Sequence, residues 1–162
     1  MCEDTRALAE SLGLDEGDLR AELPPAQMVS TGAAHLLVPV RSREAIARAC
    51  PDAPRLMNIL AAVGGQGCYL YCLDTVLPSS AAHARFFNPT VGIVEDSATG
   101  SAAGALACQL IAQGIAEDGA TMTIEQGYEM QRPSLLSVEV RGDVVRLAGR
   151  CVKAAEGMLR VR

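Results

Sequence analysis

The sequence predicts an α+β fold in which a mainly antiparallel sheet wraps around one central buried helix. Strand-like segments recur along the whole chain, whereas helical patterns are confined to a few short pieces. The exception follows Thr99, where the residues up to Gly114 are nearly all small or apolar and leave no polar face. A helix that is apolar all round is normally buried, and one rich in Ala and Gly lets other backbone pack closely around it. The pattern alone also leaves a β-sandwich open.

Short helices and strands are predicted to alternate before this central helix. The helices have Ser, Thr or Asp side chains as candidate caps, and they extend from Asp4 or Thr5 to Leu12, from Ser42 to Cys50 and from Asp52 to Ala62. The strand-like segments of the same region begin at Gln27 and continue at 34–40, 68–73 and 82–87. Residues 15–25 have the composition of a polar connector.

After the central helix the sequence predicts only strands. They lie at 121–125, 135–140, 144–148 and 158–161, and Gly142-Asp143 forms a short hairpin turn between the second and the third. We expect one domain spanning residues 1–162, because a chain of 162 residues can bury about 70% of its unfolded surface in a single core.

Charge and hydropathy argue against two kinds of partner. The net charge is −5 and no cluster of Lys and Arg offsets it, so we expect no nucleic-acid surface. No apolar run approaches the length that crosses a membrane, and no signal peptide is recognisable. We therefore expect no membrane contact and a cytoplasmic location.

The six cysteines are scattered and form no Cys-x-x-Cys pair. This pattern favours reduced, mostly buried thiols. The alternative is a metal site that combines Cys68 and Cys72 with His35 or His83, but the spacing matches no usual zinc pattern. We expect neither a metal nor a cofactor.

An acidic loop leads into the central helix. The first N–H groups of a helix have no intrahelical acceptor, so at a buried helix start they are either capped by Thr99 or Ser101 or open to an anion. Glu95 and Asp96 are neighbours in an extended segment and point to opposite sides, so at most one of them faces this site. The combination predicts an acid beside an anion site.

Motifs around this loop indicate a family. They are Arg85-Phe86-Phe87-Asn88-Pro89, Gly92-Ile93, Glu95-Asp96-Ser97-Ala98-Thr99-Gly100-Ser101-Ala102, Ser30-Thr31-Gly32-Ala33-Ala34-His35-Leu36 upstream, and Glu125-Gln126-Gly127 with Met130-Gln131-Arg132-Pro133-Ser134 downstream. Together they resemble the signature of the PhzF-like phenazine-biosynthesis isomerases, relatives of diaminopimelate epimerase. Their order and spacing match the second half of that family over almost the whole chain. Two positions depart from its pattern: Ser97 stands where Pro is usual and Gln131 where Gly is usual.

The resemblance implies one half, the C-terminal half, of a diaminopimelate epimerase-like fold. It also implies cofactor-independent proton transfer on a small carboxylate, of which dihydro-hydroxyanthranilate is the family's named substrate. In complete members the catalytic glutamate lies in the first half, which this chain lacks. The resemblance selects Asp96 as the catalytic residue, in contact with substrate and helping to move a proton. The residues expected to bind substrate are Gly100, Ser101, Ala102, Thr31, Gly32 and Arg85; Arg85 could instead pair with a neighbouring acid.

The leading hypothesis is the C-terminal half of an isomerase or epimerase that needs its N-terminal half for activity, supplied either by a partner chain or by a missing N-terminal segment. The alternative is a non-catalytic carboxylate-binding or dimerisation domain, with a homodimer covering an exposed apolar face. A third reading, ranked last, is a free-standing catalyst in which Asp96 works with His35 or His83.

Overall fold

The computed structural model describes residues 4–19 and 25–161. The helices are α1 (Thr5–Ser11), α2 (Arg43–Arg48), α3 (Ala53–Val63) and α4 (Gly100–Ala112), with 3₁₀ turns at Glu16–Asp18 and Pro89–Val91. The strands are β1 (Gln27–Ser30), β2 (Ala34–Pro39), β3 (Cys68–Cys72), β4 (Ala82–Asn88), β5 (Ile93–Asp96), β6 (Thr121–Gln126), β7 (Ser134–Arg141) and β8 (Val144–Ala148).

The strands form one curled sheet in the order β1-β2-β3-β4-β6-β7-β8, and β5 pairs with β4. Most neighbouring pairs are antiparallel. The pairs β2–β3 and β4–β6 are parallel, and each is joined by a helical crossover. The predicted α+β class with a mainly antiparallel sheet is confirmed.

Helix α4 is the centre around which this sheet curls. It packs against β1 and β2 on one side and β7 and β8 on the other, and eight of its 13 residues are buried, including every residue from Ala102 to Ala107. Its small residues permit the close approach: a Cβ at Gly104 would lie 3.2 Å from Val145 Cγ1 and 3.5 Å from Thr31 Oγ1. The predicted central buried helix is therefore confirmed, and the chain leaves it through Gly114 with a positive φ of 70°.

The sheet separates two apolar clusters. Strand β4 shows the alternation, because Ala84 and Phe86 belong to the cluster around α4 whereas Phe87 belongs to the cluster under α1, α2 and α3. His83 and Arg85 alternate with Ala84 and so lie on the side of α1–α3. This separation decides which polar side chains can meet at the start of α4.

The end of α2 and the predicted last strand differ most from the structure. Helix α2 ends at Arg48 rather than Cys50, since the residue before Pro51 is disfavoured in helical conformation. The predicted strand at 158–161 is wrong: residues 149–161 have no regular secondary structure and are exposed. Strand propensity reports side-chain preference, and a strand also needs a hydrogen-bonded neighbour. The predicted connector includes the turn at Glu16–Asp18, and its residues 20–24 lie outside the described part.

Within the two described ranges, no helix combines the length and the hydrophobicity that crossing a bilayer requires.

Candidate functional site

Strand β5 directs its two acidic side chains to opposite faces of the sheet. Asp96 pairs in register with Phe86, on the side of α4, and its Oδ2 accepts a hydrogen bond of 2.7 Å from Thr99 Oγ1. Glu95 instead lies on the side of α1–α3, where it binds Arg85. Only Asp96 therefore reaches the start of α4.

The start of α4 keeps unused backbone donors. Thr99 is the N-cap, but its side chain makes no capping bond to the first turn, because the hydroxyl donates to Asp96. The backbone N–H groups of Gly100, Ser101 and Ala102 have no acceptor among the described residues. Together with the helix dipole, such donors favour an anion at this end of the helix.

The turn between β1 and β2 lies against the same helix start. Thr31 Oγ1 donates to the Ser101 carbonyl at 3.2 Å, and Ser101 itself is exposed. Gly32 has a φ of 126° and nothing within 4 Å of the place a Cβ would occupy, so the space beside it is open. The structure thus brings the turn that contains Thr31 and Gly32 next to the helix start.

His35 orients the Ser101 hydroxyl, a role that the sequence did not reveal. Its Nε2 lies 2.9 Å from Ser101 Oγ, and its ring meets Phe86 edge-on with 5.2 Å between centroids. Burial lowers the pKa of His35, which keeps the imidazole neutral. Its Nδ1 is buried and has no partner in the described part of the chain. The feature of the sequence that could have indicated this role is the position of His35 in the upstream motif, four residues after Thr31.

Gln126 connects the acidic loop to the sheet and is a second functional candidate missed by sequence reasoning. Its Nε2 donates to the Asp96 carbonyl at 2.7 Å and to Thr99 Oγ1 at 3.0 Å. Its Oε1 accepts from Tyr69 Oη at 2.9 Å and from Thr99 N at 3.1 Å. Burial, with the nearby Asp96 charge, raises the pKa of Tyr69 and keeps its hydroxyl protonated.

Arg85, which the sequence predicts to bind substrate, lies on the opposite face of the sheet from the start of α4. Its Nε and Nη2 each donate to the Glu95 carboxylate at 2.8 Å. Its Nη1 donates to the carbonyls of Ile46 at 2.8 Å and Ala49 at 2.9 Å. The guanidinium is thus engaged on the side of α1–α3, and it pairs with the neighbouring acid that the sequence left as the alternative.

His83 is also on the far side of the sheet from α4. Its Nδ1 lies 3.0 Å from Glu125 and its Nε2 lies 2.9 Å from Glu129. Burial alone would lower the pKa of His83, but the hydrogen bonds to Glu129 and Glu125 outweigh it and raise that pKa. The two histidines therefore lie in different environments, and only His35 touches the helix start.

The cysteine arrangement offers no metal centre in the described ranges. No group of three or more His, Cys, Asp or Glu side chains there could hold a metal ion. Cys68 and Cys72 are buried in the apolar cluster under α1–α3, and burial raises the pKa of Cys72 to about 12. Such a thiol is inert at neutral pH.

The chain is similar to several named isomerases. It is 35% identical to an uncharacterized isomerase of Mesorhizobium japonicum over 96% of this chain and 55% of the relative. It is 31% identical to the trans-2,3-dihydro-3-hydroxyanthranilate isomerase of Pseudomonas fluorescens over 86% of this chain and 46% of the relative. The chain spans about half the length of the curated relatives it matches.

Solved structures show the same fold. A predicted epimerase of Pseudomonas aeruginosa superimposes with a TM-score of 0.71 at 32% identity, over 96% of this chain and 54% of that chain. A PhzF-family phenazine biosynthesis protein of Bacillus anthracis gives a TM-score of 0.75 at 25% identity, over 88% of this chain and 50% of that chain. The model of the PhzC-PhzF family, described as phenazine biosynthesis-like protein, matches residues 1–157. The chain belongs to the PhzC-PhzF family of isomerase-like and epimerase-like proteins.

Proposed function

We propose that this chain is the C-terminal half of a cofactor-independent isomerase or epimerase that transfers a proton on a small carboxylate substrate. The observation that carries the proposal is the start of α4, where three free backbone donors and the Asp96 carboxylate belong to one short segment. The donors suit a substrate carboxylate. The side-chain carboxylate suits a proton donor or acceptor.

Each residue at the helix start has a role in this proposal. The N–H groups of Gly100, Ser101 and Ala102 bind the substrate carboxylate, and the Ser101 hydroxyl, oriented by His35, adds one more donor. Asp96 gives or takes the proton. Thr31 holds the Ser101 carbonyl, and with Gly32 it flanks the bound substrate carboxylate.

A second half supplies the other proton-transfer group. The chain spans about half of its relatives, and the family it resembles carries a catalytic glutamate in the half that precedes it. One base then removes a proton next to an unsaturated or carboxyl-activated carbon, and the other group returns one to a second carbon. The substrate class is that of the Pseudomonas fluorescens relative, a dihydro-hydroxyanthranilate.

Deuterium incorporation from solvent tests this proposal. We expect exchange into dihydro-hydroxyanthranilate when the chain is mixed with the N-terminal half of a family member, and none with either half alone. Asp96→Asn should abolish exchange in the mixture while carboxylate binding remains, because the amide accepts no proton at neutral pH. Asp143→Asn, an exposed change in the hairpin turn, is the matched control and should retain full exchange.

Other outcomes discriminate among the hypotheses. Exchange by the chain alone would show that no second half is needed and would favour Asp96 acting with His35. Exchange that persists in Asp96→Asn would remove Asp96 from the mechanism.

The non-catalytic alternative is favoured by a different observation. Val91 and Val94, which flank the start of β5, are 68% and 87% exposed. Exposed apolar side chains beside a binding site suit a protein interface. A stable homodimer by light scattering, together with carboxylate binding but no exchange in the mixture, would support a binding or dimerisation domain instead.

A further inference from the structure

We propose that Gln126 is a positioning residue that sets the Asp96 carboxylate and the first turn of α4 in register for one substrate. The inference rests on the proposed function, because it names the residue that holds that site together. Gln126 touches the backbone and side chains around Asp96, and it acts through them.

Every hydrogen-bonding group of the Gln126 amide has a partner. A glutamine amide has two N–H donors and an oxygen with two lone pairs, and all four are used in the described structure. The residue is completely buried. Loss of any of these hydrogen bonds would leave a buried polar group unpaired. This would lower the free energy of unfolding by more than the loss of an exposed hydrogen bond does.

The partners of the Gln126 amide fix its orientation. Thr99 N is a backbone donor, so the group that faces it at 3.1 Å must be the amide oxygen. The amide nitrogen then necessarily faces the Asp96 carbonyl and Thr99 Oγ1. The amide therefore ties Asp96 to the N-cap Thr99, and it can do so in one orientation only.

The residues on both sides of Gln126 are themselves held in place. Glu125, on its N-terminal side, accepts hydrogen bonds from the backbone N–H groups of Val76 and Leu77 at 2.9 and 2.7 Å. Gly127, on its C-terminal side, has a φ of 81°, and a Cβ there would lie 2.8 Å from the Ser97 carbonyl oxygen. The backbone on both sides is thus fixed, so the amide projects from a rigid strand end. Preorganisation of this kind sets the geometry of catalytic groups.

The decisive variant is Gln126→Glu, which preserves shape and removes both donors when ionised. In the reconstituted exchange assay we expect kcat to fall about 100-fold at pH 8, because Asp96 is misaligned for proton transfer. We expect KM to change less than about threefold, because the backbone donors that bind the substrate carboxylate are still present. Lowering the pH should restore part of kcat in this variant, since a protonated carboxyl regains one donor. The unsubstituted chain should show no such recovery.

Gln109 provides the matched control. It is a buried glutamine on α4 whose Nε2 donates to Tyr71 Oη at 3.4 Å, so Gln109→Glu introduces the same change away from the acidic loop. We expect this variant to lose stability but to keep the pH profile of the unsubstituted chain. Equal losses of kcat in the two variants, or no recovery of Gln126→Glu at low pH, would show that Gln126 is merely structural and overturn the inference.

A measurement without catalysis separates this inference from the proposed function. In Gln126→Met the Thr99 N–H loses its acceptor, so its hydrogen exchange followed by NMR should accelerate at least about tenfold, while the amides in the middle of α4 keep their protection. Unchanged Thr99 protection would overturn the inference even if the assay shows turnover. If the unsubstituted mixture never exchanges deuterium, the proposed function fails, and the Thr99 amide still decides whether Gln126 holds the loop.

Discussion

At the scale of single residues, His35 and His83 have pKa values shifted in opposite directions. Burial lowers the pKa of His35 below the ordinary 6.5. For His83, burial opposes the change, but hydrogen bonds to Glu129 and Glu125 raise the pKa above 6.5. Folding thus releases a proton from one histidine and retains a proton on the other.

The two shifts predict opposite dependences of stability on pH. As the pH falls from about 6.5 towards the lowered pKa of folded His35, the unfolded chain binds a proton that the folded chain lacks, so this residue makes the free energy of unfolding fall. Above about pH 6.5, the folded chain keeps the His83 proton and the unfolded chain does not, so stability falls as the pH rises through the raised pKa. Urea unfolding at a series of pH values measures both effects.

Each histidine variant serves as the control for the other. His35→Gln should reduce the slope below about pH 6.5 and leave the slope above it, and His83→Gln should do the reverse. Parallel profiles for both variants would contradict the assignment of the two environments.

Gln131 has a backbone conformation that is unfavourable for a residue with a Cβ. It has a φ of 57°, and it is the only non-glycine residue in the described ranges with a positive φ. The family that the chain resembles usually has glycine at this position. We expect Gln131→Gly to raise the free energy of unfolding by about 1 kcal/mol, because glycine adopts this conformation without the clash of a Cβ. Gln131→Ala keeps the Cβ and should gain nothing; an equal gain would show that φ is not the cause.

At the scale of elements, α4 was the easiest to predict because its pattern is extreme. Small and apolar residues on every side can only suit an enclosed helix. The pairing of the strands was not predictable, since alternation states which face is buried but not which strand lies beside it. The parallel pairs β2–β3 and β4–β6 arise from crossovers through α2, α3 and α4, which the pattern of single strands does not encode.

The central position of α4 predicts a large cost for a cavity inside it. Leu106 is fully buried in the cluster that α4 shares with the sheet. We expect Leu106→Ala to lower the free energy of unfolding by about 2–5 kcal/mol, because the surrounding strands cannot all move inward to fill the gap. Denaturant unfolding checks this.

An exposed leucine gives the comparison. Leu159 is 86% exposed in the segment after β8, so Leu159→Ala should change stability by less than about 0.5 kcal/mol. Similar losses for both leucines would mean that α4 is not the centre of the core.

At the scale of the whole molecule, the site is assembled from segments far apart in the chain. Tyr69 and Gln126 are 57 residues apart, and His35 and Ser101 are 66 apart. The sequence therefore indicated Asp96 and the helix start, which are local, and missed the partners that only the curled sheet brings together. Arg85 illustrates the same limit: its charge was evident, but its engagement with Glu95 depends on which face of β4 it occupies.

The sheet also explains why one face bears the candidate chemistry and the other does not. Asp96, Gln126 and Tyr69 lie on the face towards α4, and their sequence neighbours Glu95 and Glu125 lie on the opposite face with Arg85 and His83. A one-residue shift in the register of β5 or β6 would exchange the side chains of that strand that face α4 with those that face away from it. The exchange assay on reconstituted halves therefore tests the whole arrangement as well as Asp96.

The hydrogen bonds around Thr99 make the two oxygens of the Asp96 carboxylate unequal. The Thr99 hydroxyl accepts from the Gln126 amide and donates its single hydrogen to Asp96 Oδ2. The other oxygen, Oδ1, has one long hydrogen bond in the described chain, from Ala98 N at 3.5 Å. One oxygen is therefore anchored, and the other is nearly free of partners. In the proposed proton transfer, this asymmetry favours Oδ1 as the oxygen that exchanges the proton with the substrate.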